Sequence, residues 1–327
     1  MKLEPNLWFD EVVKTYHRIS PYIHHTPLLT CSNLNNELGG IYLFKSESLQ
    51  ITGSFKIRGA LSAISKLSKN ELKRGVIAYS SGNHAQGVAQ AAKVFNTSAT
   101  VVMPKDAPAG KIANVQSLGA EVIFYNRRTE SREEISLEIA KKRNLVIIKP
   151  YDALSTIYGQ GTAAYEVIND ANNPKLDNAI ICAGGGGLAA GSCISIKHTN
   201  PECNVFTAEP EAWNDHQLSF EENERIAMDT NRDGLCDGLL TPCPGEITFA
   251  INSHFGVKGL AASDRAVCEA MLFAFNRLNL KLEPSGAIAL ACLLQNKEKF
   301  RGTKTLVMLS GGNVDQKTFT DCLARAS

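Results

Sequence analysis

NAIICAGGGGLAAGSCISIKHTNPECNVFTAE, residues 178–209, is the stretch on which the fold turns. It opens and closes on short apolar runs, NAIICA and NVFTAE. Runs of this length next to glycine read as buried strands rather than helices. Between them lie four consecutive glycines and then a helical segment. A strand, a crossover helix and a second strand make the unit from which parallel sheets are built.

The same alternation continues outward on both sides. Strands are expected at IYLFKS (41–46), GVIAYS (75–80), SATVVMP (98–104), AEVIFY (120–125), LVIIK (145–149) and TLVMLS (305–310). Helical patterns separate them, among them AQGVAQAAKVF, SREEISLEIAKKR, GQGTAAYEVINDA, RAVCEAMLFAFNRL and SGAIALACLLQN. Alternation of this kind predicts an α/β protein, with helices on open, mostly parallel sheets. Four of the strands fall together, so the expected organisation is a small domain, 71–152, inserted into a large one formed by 1–70 and 153–327.

Bulk properties remove several classes of function. With 327 residues, 44% hydrophobic, 20% charged and a net charge of +1, the chain has no single-sign field to attract nucleic acid or a membrane surface. No apolar run is long enough to cross a bilayer. The charged N-terminus does not read as a signal peptide. Nine cysteines without a CxxC pair fit reduced thiols and a cytoplasmic location, not a zinc site or a disulfide framework.

Four loops carry the chemistry. In TGSFKIRGA, residues 52–60, Lys56 opens a helix behind small and hydroxyl residues. In YSSGNHAQG, residues 79–87, a helix begins after a strand with its first amides free, an arrangement suited to a carboxylate. In CAGGGGLAAG, residues 182–191, the glycines form a nest of N–H groups suited to a phosphate. LSGGNVD (309–315) and the turn LEPSGA (282–287) complete the set. A second reading fits part of this pattern. Gly184, Gly186 and Ala189 match the G-x-G-x-x-[GA] spacing of a dinucleotide fold, with Glu209 where a ribose-binding acid belongs. That reading, an NAD-dependent dehydrogenase, leaves Lys56 and the Ser80–His84 loop unexplained. A lysine, a phosphate nest, a carboxylate loop and a hydroxyl together suit a phosphorylated aldehyde cofactor held on the lysine.

SFKIRGA, SSGNHAQGVA, AGGGGLAAG, LEPSGA and LSGGNVD, in this order, resemble the fold-type II pyridoxal-phosphate enzymes, whose fold is tryptophan synthase beta-like. Among these the chain is most similar to serine/threonine dehydratases and serine racemase. The resemblance implies pyridoxal 5'-phosphate as cofactor, carried by Lys56 with Phe55 beside the ring. It implies a phosphate cup made by Gly184, Gly185, Gly186, Gly187 and Leu188. Asn83 would meet the phenolic oxygen and Ser310 the ring nitrogen. Ser80, Gly82, Asn83 and His84 would hold the substrate carboxylate, and Lys56 would take the Cα proton. Ser81 matches the opposite-face base of racemases.

A divalent cation, Mg²⁺ or Ca²⁺, is implied at Glu209, Asp215 and the Trp213 carbonyl, and a homodimer is implied as the assembly. The expected activity is dehydration and deamination of a small hydroxy amino acid, L-serine or L-threonine. Serine racemisation and L-threo-3-hydroxyaspartate dehydration are the alternatives. Arg132 is relevant to the latter substrate, although on its helix it reads as a solvated charge. Because the chain ends soon after SGGNVD, without the regulatory domain of biosynthetic threonine dehydratases, no feedback by isoleucine is expected.

Overall fold

A computed structural model describes residues 7–80, 82–107, 109–170, 175–230 and 232–326. Among them ten strands form two sheets. The strands are β1 (Leu28–Thr30), β2 (Ile41–Ser46), β3 (Val76–Tyr79), β4 (Ala99–Pro104), β5 (Glu121–Tyr125) and β6 (Val146–Ile147). They continue with β7 (Asn178–Cys182), β8 (Asn204–Pro210), β9 (Lys258–Ala262) and β10 (Lys304–Leu309). The larger sheet runs β1-β2-β10-β7-β8-β9 and the smaller β5-β4-β3-β6. All neighbours are parallel except β1, which pairs antiparallel with β2. Every strand of the smaller sheet lies between residues 76 and 147, so the chain leaves the larger sheet after β2 and returns at β7.

The fold is therefore α/β, with both sheets flanked by helices. β7 is buried along its whole length and β10 nearly so, as parallel strands covered on both faces require. The unpredicted strands are both at edges of the larger sheet. β9, KGLAA, has no β-branched or aromatic residue, and its pairing with β8 selects it in place of intrinsic propensity. β1 is only three residues long.

The helix Leu154–Ile168 is buried on almost every face, its polar side chains Gln160, Thr162 and Glu166 included. It packs between the helices Lys56–Ile64 and Gly187–Thr199. A buried ionic cluster fixes the first of these contacts. Arg58 Nε donates to Glu47 Oε2 at 2.7 Å and Nη1 to Glu166 Oε1 at 2.7 Å. Lys45 Nζ donates to Glu166 Oε2 at 2.5 Å and to the Thr26 carbonyl at 2.7 Å. The Thr26 hydroxyl donates to Glu47 at 2.6 Å. Two cations meet two anions with none of the four side chains exposed to solvent. The helix that begins at Lys56 is thereby clamped to the end of β2 and to the helix behind it.

Candidate active site

The carboxyl ends of β2, β3, β7 and β10 open on one cleft, where α/β proteins place their ligands. Phe55, Lys56, Ser80, Gly82, Asn83, His84, Gly184, Gly185, Gly186, Gly187, Leu188 and Ser310 all line it. Ser81 lies outside the described residues. Lys56 reaches the cleft because the chain before it is stitched to the loop after β10. Phe55 N donates to the Ser310 carbonyl at 3.1 Å, and Ser54 bridges Gly311. The Lys56 ammonium donates to the Pro150 carbonyl at 3.1 Å and lies 5.1 Å from the centre of the Phe55 ring. Burial lowers its pKa to about 8, against the opposing pull of Cys182 and Glu283.

The glycine loop has its carbonyls turned away and tied. Gly184 O accepts from His216 Nε2 at 2.8 Å, and Gly185 O accepts from the Thr248 hydroxyl at 2.6 Å. The amides of the loop and of the helix start at Gly187 remain for an anion. Gly186 sits at φ +87°, and a Cβ there would come within 2.6 Å of the His216 ring. A Cβ on Gly185 would collide with the ring of Tyr151. These glycines shape a cradle whose donors are backbone N–H groups, the kind of site a phosphate uses.

At the opposite wall, the helix Asn83–Val94 begins behind Gly82, whose N donates to Ser80 Oγ at 3.2 Å. His84 departs from its expected part. Its Nε2 faces the Ile148 carbonyl at 3.0 Å, which can only accept, so Nε2 carries the proton. Burial and the nearby Lys56 charge lower its pKa to about 3, so the ring is neutral, with Nδ1 unpartnered. A neutral ring with a bare Nδ1 gives a carboxylate no cationic partner; what this position offers is its backbone amide.

Several lining residues take parts that their place in the sequence does not announce. Arg132 stands in the cleft wall with its guanidinium 5.7 Å from the centre of the Tyr79 ring and a salt bridge to Glu133 at 2.8 Å. The expectation of a plainly solvated helix charge is corrected: two-thirds of this side chain is covered. Lys111, from the helix Ala109–Ser117, pairs with Asp237 across the mouth of the cleft. Glu283, in the LEPSGA turn, is buried, and that burial raises its pKa to about 8. Tyr151 and Thr241 close the phosphate side.

Glu209, Trp213 and Asp215 lie outside this cleft. Glu209 caps the helix Asp215–Glu222, accepting from His216 N at 2.8 Å and Gln217 N at 2.9 Å. Fully buried at the end of β8 and occupied in this way, it presents nothing to a ribose, and the dinucleotide reading fails here. Among the described residues neither carboxylate oxygen of the buried Asp215 has a hydrogen-bond partner. Burial and mutual repulsion hold Glu209 well above the usual carboxylate range, and burial does the same to Asp215. Among the described residues no group of three or more His, Cys, Asp or Glu is arranged to hold a metal. Any cation at this pair would therefore draw on backbone oxygen too.

Comparison with known proteins agrees with this geometry. The family model described as pyridoxal-phosphate dependent enzyme matches residues 19–311. An L-threo-3-hydroxyaspartate ammonia-lyase of Saccharomyces cerevisiae is 41% identical over 97% of this chain and 96% of its own length. A serine racemase of Schizosaccharomyces pombe is 38% identical, with 97% of each chain covered. The crystal structure of serine racemase from Dictyostelium discoideum superimposes with a TM-score of 0.86 at 37% identity, covering 94% of this chain and 98% of that one.

Proposed function

This chain belongs to the pyridoxal-phosphate dependent enzymes, and we propose that it is an ammonia-lyase that prefers a dicarboxylic hydroxy amino acid, L-threo-3-hydroxyaspartate, over L-serine and L-threonine. The observation that carries the preference is Arg132, a cation beside Tyr79 in the wall of the cleft that Lys56 also lines. A monocarboxylate has no use for it. A second carboxylate would form the paired, charge-assisted hydrogen bonds at which a guanidinium excels.

The cleft fits the cofactor of the family: a glycine loop whose neighbours Tyr151 and His216 leave no room for a Cβ, a buried lysine and the buried hydroxyl of Ser310. When bound, pyridoxal phosphate supplies an electron sink for the bond breaking at Cα. Lys56 would carry it, with the amides of Gly184, Gly185, Gly186, Gly187 and Leu188 on its phosphate, Phe55 beside its ring, Asn83 toward the phenolic oxygen and Ser310 toward the ring nitrogen. Serine there would be a neutral partner, with no carboxylate to hold a proton on the ring nitrogen.

As a free amine Lys56 would be a base matched to neutral pH, because burial lowers its pKa to about 8. It takes the Cα proton. The Ser80 hydroxyl and the amides of Gly82, Asn83 and His84 hold the α-carboxylate. The substrate loses its C3 hydroxyl as water, and hydrolysis then releases ammonia and a 2-keto acid. The Lys111–Asp237 pair stands where it can restrict water at the mouth.

Glu209, Asp215 and the Trp213 carbonyl form the second part of the proposal, a Mg²⁺ or Ca²⁺ site. Hard oxygen donors suit these ions. The unpartnered oxygens of Asp215 support the reading. A mobile small domain, a homodimer and a cytoplasmic location belong to the same proposal and rest on the sequence.

The test is product analysis with the three substrates, following keto acid and the D-enantiomers together. The expected kcat/KM for L-threo-3-hydroxyaspartate exceeds that for L-serine by about 30-fold, the scale of one charged hydrogen-bonded pair. Arg132→Met should erase that margin with little change toward L-serine. A margin in favour of L-serine would return the enzyme to the serine/threonine dehydratases. Dominant D-serine would make it a racemase that uses Ser81.

A further inference from the structure

We propose that Asn313 and Glu283 are positioning residues that fix which edge of the Asn83 amide faces the cleft, so that its N–H and not its carbonyl is offered to the cofactor. This inference rests on the reading of Asn83 as the partner of the phenolic oxygen. An asparagine amide has nearly identical ends of opposite character, and a donor turned about becomes an acceptor. Something must choose between them.

The choice starts from a group that cannot donate. Asn313 Nδ2 lies 2.7 Å from the backbone carbonyl of Thr52, which only accepts, so the amino end of Asn313 is settled. The second hydrogen on that nitrogen points to Asn83 Oδ1 at 2.8 Å. The oxygen of Asn83 is therefore turned toward Asn313. Its Nδ2 is left toward Glu283, donating to Oε1 at 2.5 Å. One hydrogen on Asn83 Nδ2 is used there, and the other remains for the cleft.

Glu283 alone could not make the choice. Burial lifts its carboxyl to about 8, so its protonated form is populated at neutral pH and could donate to an amide oxygen instead. Asn313, anchored on Thr52, removes that alternative.

The surroundings are built for this relay. Gly53 takes φ +70°, which glycine tolerates, and a Cβ there would strike Asn313 Oδ1. A Cβ on Gly311 would strike Glu283 Oε1. Glu283 N donates to the Gly311 carbonyl at 3.2 Å, and Gly312 N donates to the Gly53 carbonyl at 2.9 Å. Thr52 lies just before Lys56, Asn83 at the end of the smaller sheet, and Glu283 and Asn313 on the larger unit. One short chain of hydrogen bonds thus sets three separate loops relative to the lysine.

The experiment is titration of the protein with pyridoxal phosphate, read by cofactor absorbance and dissociation constant, in wild type, Asn83→Ala, Asn313→Asp and the double variant. Asn313→Asp keeps the size of the side chain but cannot donate to Asn83 Oδ1. Its expected effect is about tenfold weaker cofactor binding with a shifted absorbance band. Because it acts through Asn83, the double variant should be no worse than Asn83→Ala alone. Additive losses, or an unchanged spectrum in Asn313→Asp when Asn83→Ala alters it, would overturn the relay. An unchanged spectrum in Asn83→Ala would instead overturn the reading of Asn83 itself. Should Asn313→Asp not fold, Asn313→Ala and Glu283→Gln enter the same cycle with the same criteria.

Discussion

Two groups of buried charge flank the helices around the cleft, and they differ in balance. Behind Lys56, Arg58 and Lys45 face Glu47 and Glu166, and each charge meets its opposite at hydrogen-bond distance. At the end of β8, Glu209 and Asp215 lie together, both buried, with two backbone amides as donors to Glu209 and, among the described residues, no donor to either carboxylate oxygen of Asp215. Burying an ion is unfavourable unless a partner offsets the lost hydration. The first cluster meets that condition within the chain and can serve as a permanent strut. The second cannot, and must either keep a proton or take up a cation. A balanced cluster points to structure, and an unbalanced one to something that comes from outside.

The largest expected effect comes from unbalancing the strut. Glu166→Gln would leave Lys45 and Arg58 sharing the single carboxylate of Glu47, at a cost of about 3–5 kcal/mol. Urea unfolding with an unchanged m-value measures it. A loss under about 1 kcal/mol would mean that water already reaches this cluster and that the contrast is false.

Balancing the second cluster should act in the opposite direction. Added Mg²⁺ or Ca²⁺ should stabilise the wild-type protein, by about 2.7 kcal/mol at a hundred times Kd, and raise the Tm. Asp215→Asn should abolish this response. An equal rise in that variant would place the cation elsewhere.

Smallest per unit of change is the pH dependence without added cation. Glu209 and Asp215 have raised pKa values in the folded chain, whereas unfolded carboxyls release their protons at roughly pH 4. The folded state therefore binds more protons above that pH, and stability falls as pH rises until the raised values are passed. The slope is at most about 1.4 kcal/mol per pH unit for each proton retained. A divalent cation or Asp215→Asn should flatten it. A slope indifferent to both would assign the titration to another group, of which Glu283 is the first to test.

Reading the sequence against these clusters shows where legibility stops. β2, β7 and β10 are apolar runs whose pattern announces them, and the observed bounds of β2 are those expected, 41–46. β9 has no such pattern and exists because β8 offers it an edge. In the site, the glycine loop is legible because its chemistry is local: consecutive amides make the nest by themselves. Lys111 is not, and the parts of Arg132, named only as an alternative to a solvated charge, and of Glu283, inside the LEPSGA motif, are legible only in part. Each is an ordinary charge in an ordinary helix or turn, and only its neighbours from distant segments give it a cleft to face. His84 shows the converse. Its place in a motif is plain, yet the Ile148 carbonyl, 64 residues away, decides which ring nitrogen is protonated.

The sequence by itself determined the α/β alternation, the lysine behind its loop and the phosphate cradle, because each depends on residues adjacent in the chain. Only the tertiary structure decided that a helix arginine faces the cleft, that Glu209 caps a helix and binds no ribose, and that Asn83 is held by Asn313 and Glu283. Those outcomes depend on contacts between loops at the ends of different strands. The sheet fixes their spacing, and no stretch of sequence contains it.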